Sequence, residues 1–336
     1  GRLVLRALRR DVLLGGVKVR PETYCNKIRL HTLHGHKPHM QRMNATLANP
    51  LLPPPVRIAL ALMAAGAMSA CAPSGLEVRR TEARSLAAHA GWERVAIDSG
   101  RFVLIAHRPH PVRRVDTLSV YIEGDGLAWL SRSEPSRDPT PLDSVAMGLA
   151  LRQPSGAAVH LARPCQFTLD PERRNCSKQY WTSHRFAGEV VDSMSRAIDR
   201  LKADQGAQGL ELVGYSGGGA IAALLAARRG DVERLITVAG NLDPAAWTRL
   251  HRITPLEGSL DPVDVAPALS KLEQIHLAGA KDRELPAELA EGWLRRLRTP
   301  SAARLQVVPD FDHHCCWVEA WPTLYPDPAP RPDPAR

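Results

Sequence analysis

The 336-residue sequence has no internal repeat, no apolar run long enough for a permanent membrane-spanning helix, no Cys-x-x-Cys pair and, beyond residue 72, no net charge. Each absence removes a class. Repeat arrays need a fixed period. The longest apolar stretch, Ile58 to Met68, falls well short of the roughly 20 residues that cross a bilayer. The usual zinc spacing is missing. The formal charge of +9 sits at the front, where residues 1–42 carry ten Lys or Arg against Asp11 and Glu22, and Arg57 adds one more. The remainder balances 33 basic against 33 acidic side chains, which leaves no electrostatic footprint for a nucleic acid. What is present is 44% hydrophobic residues, enough to bury a sizeable core.

Residues 1–42 show no sustained hydrophobic period and no cap or turn signals, so residues 1–56 are expected to be a spurious upstream stretch or a basic disordered arm. The start is expected at Met43 or near Arg57. Residues 57–71 have the anatomy of a signal peptide: one positive charge, a short apolar run, then Ser69 and Ala70 before Cys71. Those small residues before Cys71 resemble a bacterial lipobox, although Met68 stands where that pattern more often has Leu. The resemblance implies lipidation of Cys71 and a membrane tether. Cleavage by an ordinary signal peptidase, leaving a soluble periplasmic protein, is the competing reading. Either way export is expected.

Export makes disulfides candidates among Cys165, Cys176, Cys315 and Cys316. Three pairings exist. Spacing favours a local Cys165–Cys176 loop, which leaves Cys315 and Cys316 to form a vicinal bridge or stay reduced, while cross-pairing would tie that loop to the C-terminal region. Zinc at His313, His314, Cys315 and Cys316 lacks the usual spacing, and neither metal nor cofactor is expected.

From residue 72 to 324 short β-branched runs alternate with amphipathic stretches. Strands are expected at 101–107, 118–122, 157–161, 210–213, 235–239, 274–277 and 304–308, and helices at 76–90, 142–151, 186–201 and 220–229. In the third helix Val190, Val191, Met194, Ile198 and Leu201 share one face. Strand and helix alternating in this way predicts an α/β domain, a mostly parallel central sheet with helices on both faces. Two connections, 162–185 and 241–272, are long enough to act as lids or to pack on the surface. Residues 325–336, rich in proline, are expected to be a disordered tail.

The segment Gly214-Tyr215-Ser216-Gly217-Gly218 joins a buried strand to a small-residue helix. A tight turn there can lift the Ser216 hydroxyl above the sheet, and the Gly217 amide begins a helix, where it can donate to developing negative charge. No Lys follows, so it is not a nucleotide-binding P-loop. The segment resembles the nucleophile elbow of the α/β-hydrolase superfamily. That family's order of nucleophile, acid and histidine implies an acid at Asp282, with Asp243 as the rival, and a base at His313, with His314 as the alternative. The loop Glu123-Gly124-Asp125-Gly126 resembles the family's oxyanion loop, with Glu123 where His is frequent. That implies the amides of Gly217 and Asp125 as oxyanion donors. The resemblance spans residues 101–321.

It implies a serine hydrolase, a carboxylic ester hydrolase first, that cleaves an ester, thioester or amide through an acyl-serine intermediate. An acyltransferase on the same fold differs only in whether an alcohol replaces water. From another class, a lipoprotein with this fold could bind a lipid, glycan or protein without chemistry. Small-molecule or lipid acyl substrates are expected, and substrate and oligomeric state are left open.

Overall fold

In the computed structural model, residues 75–298 and 302–326 are described. The leader, the signal run, Cys71 and most of the proline-rich tail lie outside them. The alternation of apolar runs and amphipathic stretches becomes eight strands: β1 (Trp92–Asp98), β2 (Val103–Pro109), β3 (Thr117–Ile122), β4 (Ala157–Leu161), β5 (Gly209–Tyr215), β6 (Val232–Val238), β7 (Glu273–Gly279) and β8 (Ala303–Val308). Around them lie α1 (Gly75–His89), α2 (Val145–Leu151), α3 (Gly188–Gln205), α4 (Gly217–Ala226), α5 (Pro244–His251), α6 (Ala287–Leu294) and α7 (Trp317–Leu324). The sheet order is β1-β2-β4-β3-β5-β6-β7-β8. β2 runs antiparallel to both β1 and β4, and every pair from β4 through β8 is parallel.

Parallel strands covered on both faces should be apolar on both, and they are. Leu118, Val120 and Ile122 of β3 and Leu210 and Leu212 of β5 pack in one cluster with α3 and α4. Tyr121, Val213, Ile236, Ile275 and Leu277 point the other way, into a second cluster with α2 and α7. The five apolar residues expected on the face of α3 are all fully buried, each contributing roughly 1.5–3 kcal/mol as an upper estimate.

β1 lies outside the expected strands because it is an edge strand with a single buried residue, Ile97, and hence little period to detect. Within the expected inserts, α5 and a 3-10 helix at Pro262–Leu269 supply local structure. Tyr325, expected in the tail, is docked: its hydroxyl donates to Glu211 Oε1 at 2.7 Å. Among the described residues no helix is long and apolar enough to cross a membrane.

Three histidines, His107, His160 and His276, are buried inside the sheet. His107 on β2 is pushed down to about 2 by burial and then by neighbouring His160, and burial pushes His276 on β7 down to about 3. The rings of His107 and His276 therefore stay neutral in the folded chain while the unfolded chain takes up protons below about pH 6.5. The unfolded state binds more protons in that window, so stability falls as pH falls. Urea unfolding between pH 6.5 and 4.5 should show a loss approaching about 1.4 kcal/mol per pH unit for each ring at the acid end. A flat profile would mean that the rings titrate alike in both states.

Candidate active site

Ser216 follows the last residue of β5 and caps α4, with φ 51° and ψ −122°. Such a backbone costs a non-glycine residue roughly 1–3 kcal/mol and persists only where its surroundings enforce it. Here they do: the Ser216 amide donates to Val238 O at 3.0 Å, and its carbonyl accepts from the amides of Gly219 and Asn241, both at 2.9 Å. The turn is also very close to β3. A Cβ on Gly218 would lie 2.3 Å from Ile122 O, and one on Gly214 would lie 2.4 Å from Gly218 O. Gly217 opens α4, so its amide has no acceptor within the helix.

The Ser216 hydroxyl lies 3.0 Å from His313 Nε2, and His313 Nδ1 lies 2.9 Å from Asp282 Oδ2. Asp282 can only accept when ionised, so Nδ1 carries the proton and donates to it. Nε2 is then left to accept from Ser216. The other oxygen of Asp282 accepts from the amides of Glu284 and Leu285, each at 2.8 Å, which fixes the carboxylate. Tyr215, next to Ser216, donates to His313 O at 2.9 Å and ties the histidine loop to the end of β5.

The two rivals have other work. Asp243 caps α5, accepting from the Ala246 amide at 2.7 Å. His314 is largely exposed and sits 3.4 Å from Glu284 Oε1. The hydrogen bond that the His314 ring donates to Glu284 raises its pKa above the ordinary value against the opposing effect of burial, and the same pair lowers Glu284. Glu284 Oε2 also lies 3.7 Å from His313 Nε2, a contact that no spacing in the sequence signals.

Glu123 is buried behind the loop. It accepts from Ser144 Oγ, from the Gly124 amide at 3.1 Å and from the Ala146 amide at 3.4 Å, and pairs with His160 Nε2 at 3.1 Å. Burial pushes its carboxyl up, but His160, Ser144 and the Gly124 amide outweigh that and hold it below the ordinary range. An ionised Glu123 thus fastens the loop to β4 and to the start of α2.

Asp125 brings its carboxylate over Gly217: a Cβ there would meet Asp125 Oδ1 at 2.2 Å and Arg163 Nη1 at 2.9 Å. Both oxygens are taken, by Arg163 and by Arg185. Burial raises the Asp125 carboxyl, and the two guanidiniums more than reverse this. The arginines are brought to Asp125 by the 162–185 connection, a proximity that no local pattern in the sequence signals.

Both long connections reach this end of the sheet and touch each other. Ser259 Oγ donates to Ser183 O at 2.8 Å and accepts from the Phe186 amide at 3.1 Å, and the Arg185 guanidinium lies 5.7 Å from the centre of the Trp247 ring. Cys165 pairs with Cys176, Cα atoms 5.6 Å apart, and Cys315 pairs with Cys316. The first closes a loop spanning 11 positions, worth about 3 kcal/mol in the chain-entropy account. The second takes both cysteines beside His313 out of any metal set, and among the described residues no group of three or more His, Cys, Asp or Glu is placed to hold an ion.

No protein-family model matches the sequence, and no curated protein matches it. Solved structures do match in shape. Est1E from Butyrivibrio proteoclasticus is 14% identical over 69% of this chain and 96% of its own, with a TM-score of 0.47. The esterase Pf2001 of Pyrococcus furiosus is 9% identical over 69% and 84%, TM-score 0.48. An alpha-beta serine hydrolase homologue from Coxiella burnetii is 14% identical over 66% and 88%, TM-score 0.45. The chain's own features identify its architecture: an eight-stranded, mostly parallel sheet, a strand-turn-helix elbow at Ser216, and Ser, Asp and His at strand ends in that chain order. On these grounds the protein has the α/β-hydrolase fold.

Proposed function

We propose that the protein is a serine hydrolase that cleaves an acyl bond, a carboxylic ester first, through an acyl-Ser216 intermediate. The observation that carries this reading is the continuous hydrogen-bonded line from Ser216 Oγ through His313 to Asp282. Ser216 attacks the carbonyl carbon as His313 Nε2 takes its proton, and Asp282 holds and stabilises the resulting imidazolium. The amides of Gly217 and Asp125 receive the oxyanion. His313 then returns the proton to the leaving alcohol, and water repeats the sequence to release the acid. Export, with a lipid on Cys71, belongs to the same reading. It is supported by the small residues before Cys71 and by two disulfides of a kind that persist in oxidising compartments.

A fluorophosphonate should add once to the folded protein, at Ser216, by intact and peptide mass spectrometry. Ser216→Ala should take up none and should not hydrolyse a short p-nitrophenyl ester. Equal labelling of wild type and variant would overturn the assignment.

A further inference from the structure

Three side chains of one connection grip the loop that carries the Asp125 amide. Arg163 Nη1 and Arg185 Nη1 each donate to a different oxygen of the Asp125 carboxylate. Gln166 Nε2 donates to Gly124 O at 2.9 Å. The gripping residues are themselves fixed: Arg163 Nη2 donates to Arg185 O, Arg185 Nε donates to Thr182 O at 2.8 Å, and Gln166 Oε1 accepts from the Arg163 amide at 3.0 Å. Arg163 and Arg185 are 4% exposed, as deeply placed as core residues, while the Asp125 side chain that they hold is partly buried. One donor, Arg163 Nε, has no partner although it is buried. Stability alone accounts poorly for such a group: a buried ion cluster is weak evidence of stabilisation, and an orphaned buried donor costs free energy. Its location is specific. The carboxylate that the arginines hold lies against Gly217, where the second oxyanion donor starts its helix.

Building on the serine-hydrolase reading, we propose that Asp125, through its side chain, and Arg163, Gln166 and Arg185 of the 162–185 connection are positioning residues that set the Asp125 amide for the oxyanion. The connection is then an anchor for the catalytic loop, with the Cys165–Cys176 link holding its own span together. Each guanidinium spans two acceptors with its planar set of donors, Arg163 joining Asp125 to Arg185 O and Arg185 joining Asp125 to Thr182 O, a fixed geometry that a lysine ammonium does not supply. Arg185→Lys therefore keeps the charge and loses the geometry. A displacement of about 1 Å in a catalytic group costs on the order of 10²-fold in rate. The oxyanion is formed only after binding, so the loss belongs in kcat.

The test compares wild type, Asp125→Asn, Arg185→Lys and Arg185→Met, with Ser216→Ala as a blank, on a p-nitrophenyl ester. Rates are taken per site titrated to completion with a fluorophosphonate, which counts only folded, competent molecules. Expected for Asp125→Asn and both Arg185 variants is a loss of kcat of about 10²-fold with KM within about three-fold. The rate of labelling should slow in parallel although its end point is unchanged. Wild-type kcat in Asp125→Asn, or full rescue by Lys at 185 where Met fails, would overturn the positioning role, the latter by showing that the cluster acts through charge alone. Should Asp125→Asn not fold, Arg185→Lys carries the comparison. If wild type itself neither labels nor turns over, it is the serine-hydrolase reading that has failed, a distinct outcome.

Discussion

His313→Ala should lower kcat for ester hydrolysis by about 10⁴-fold or more, with His314→Ala staying within about ten-fold of wild type. The two rings are adjacent in sequence, and only their surroundings separate them. His313 is buried and bonded at both nitrogens, Nε2 to the Ser216 hydroxyl and Nδ1 to Asp282. Without its ring the hydroxyl has no base, and a neutral serine is a weak nucleophile. The loss falls on kcat and kcat/KM equally, since substrate binding does not draw on the imidazole. His314 projects outward with 71% of its side chain exposed and pairs with an equally open Glu284, an arrangement worth little energetically. Its removal deprives Glu284 of a partner and takes away an edge contact on the His313 ring and a 3.4 Å contact with the Tyr215 hydroxyl, while the hydrogen bonds of His313 to Ser216 and Asp282 stay in place. Steady-state kinetics on purified variants, with circular dichroism to verify folding, decide the matter. A catastrophic loss in His314→Ala with a mild one in His313→Ala would exchange the roles.

The site was legible where its parts lie in short local patterns at strand ends. Ser216 stands in a glycine-flanked turn, Asp282 and His313 follow late strands, and Asp125 sits between two glycines after β3. What stayed hidden depends on residues far apart in sequence. Arg163 and Arg185 come from 38 and 60 positions beyond Asp125, and no periodicity points a connection's side chain at a particular carboxylate. His160 pairs with Glu123 from 37 positions away, on β4, which lies directly beside β3 in the sheet, so its partner is a matter of strand order. Choosing between Asp282 and Asp243 was likewise a question of tertiary context: each follows a strand, and only the fold shows Asp243 occupied at the start of α5.

The fold was legible because its buried strands announce themselves as apolar runs. β3, β4 and β5 are almost wholly buried, and their expected spans agree with the observed ones to within a residue or two. β1 failed that test for a physical reason, since an edge strand packed on few neighbours has no apolar face to repeat. The short helices α5, α6 and α7 span only eight residues each. Two turns give a weak 3.6-residue period, and α7 also carries Pro322. The disulfide pairing was open for a related reason: spacing favours a local link but cannot place Cys315 and Cys316 relative to the loop, whereas the fold joins each pair locally.

Gly218→Ala should destabilise the protein by about 3 kcal/mol or more and disable it beyond what the stability loss alone would cause. The added methyl would lie 2.3 Å from Ile122 O, 2.7 Å from Glu123 O and 3.0 Å from Ile122 C. All three are backbone atoms, at the end of a central strand and the start of the loop bearing Asp125, so no side-chain rotation relieves the contact. Relief requires α4 to move away from β3, which separates the amide of Gly217 from that of Asp125 and turns the Ser216 hydroxyl relative to His313. For a domain of this size the melting midpoint should fall by roughly 6–12 °C. kcat measured well below that midpoint should fall by on the order of 10²-fold, the usual consequence of a displaced oxyanion donor. Gly188→Ala is the control: no heavy atom lies within 4 Å of the position its methyl would take, at the first residue of α3. There the change should leave both stability, within about 0.5 kcal/mol, and turnover where they are. Wild-type turnover and melting in Gly218→Ala would mean that the elbow and the oxyanion loop are not packed as closely as these distances require, and the shared geometry of Gly217, Asp125 and Ser216 would have to be given up with it.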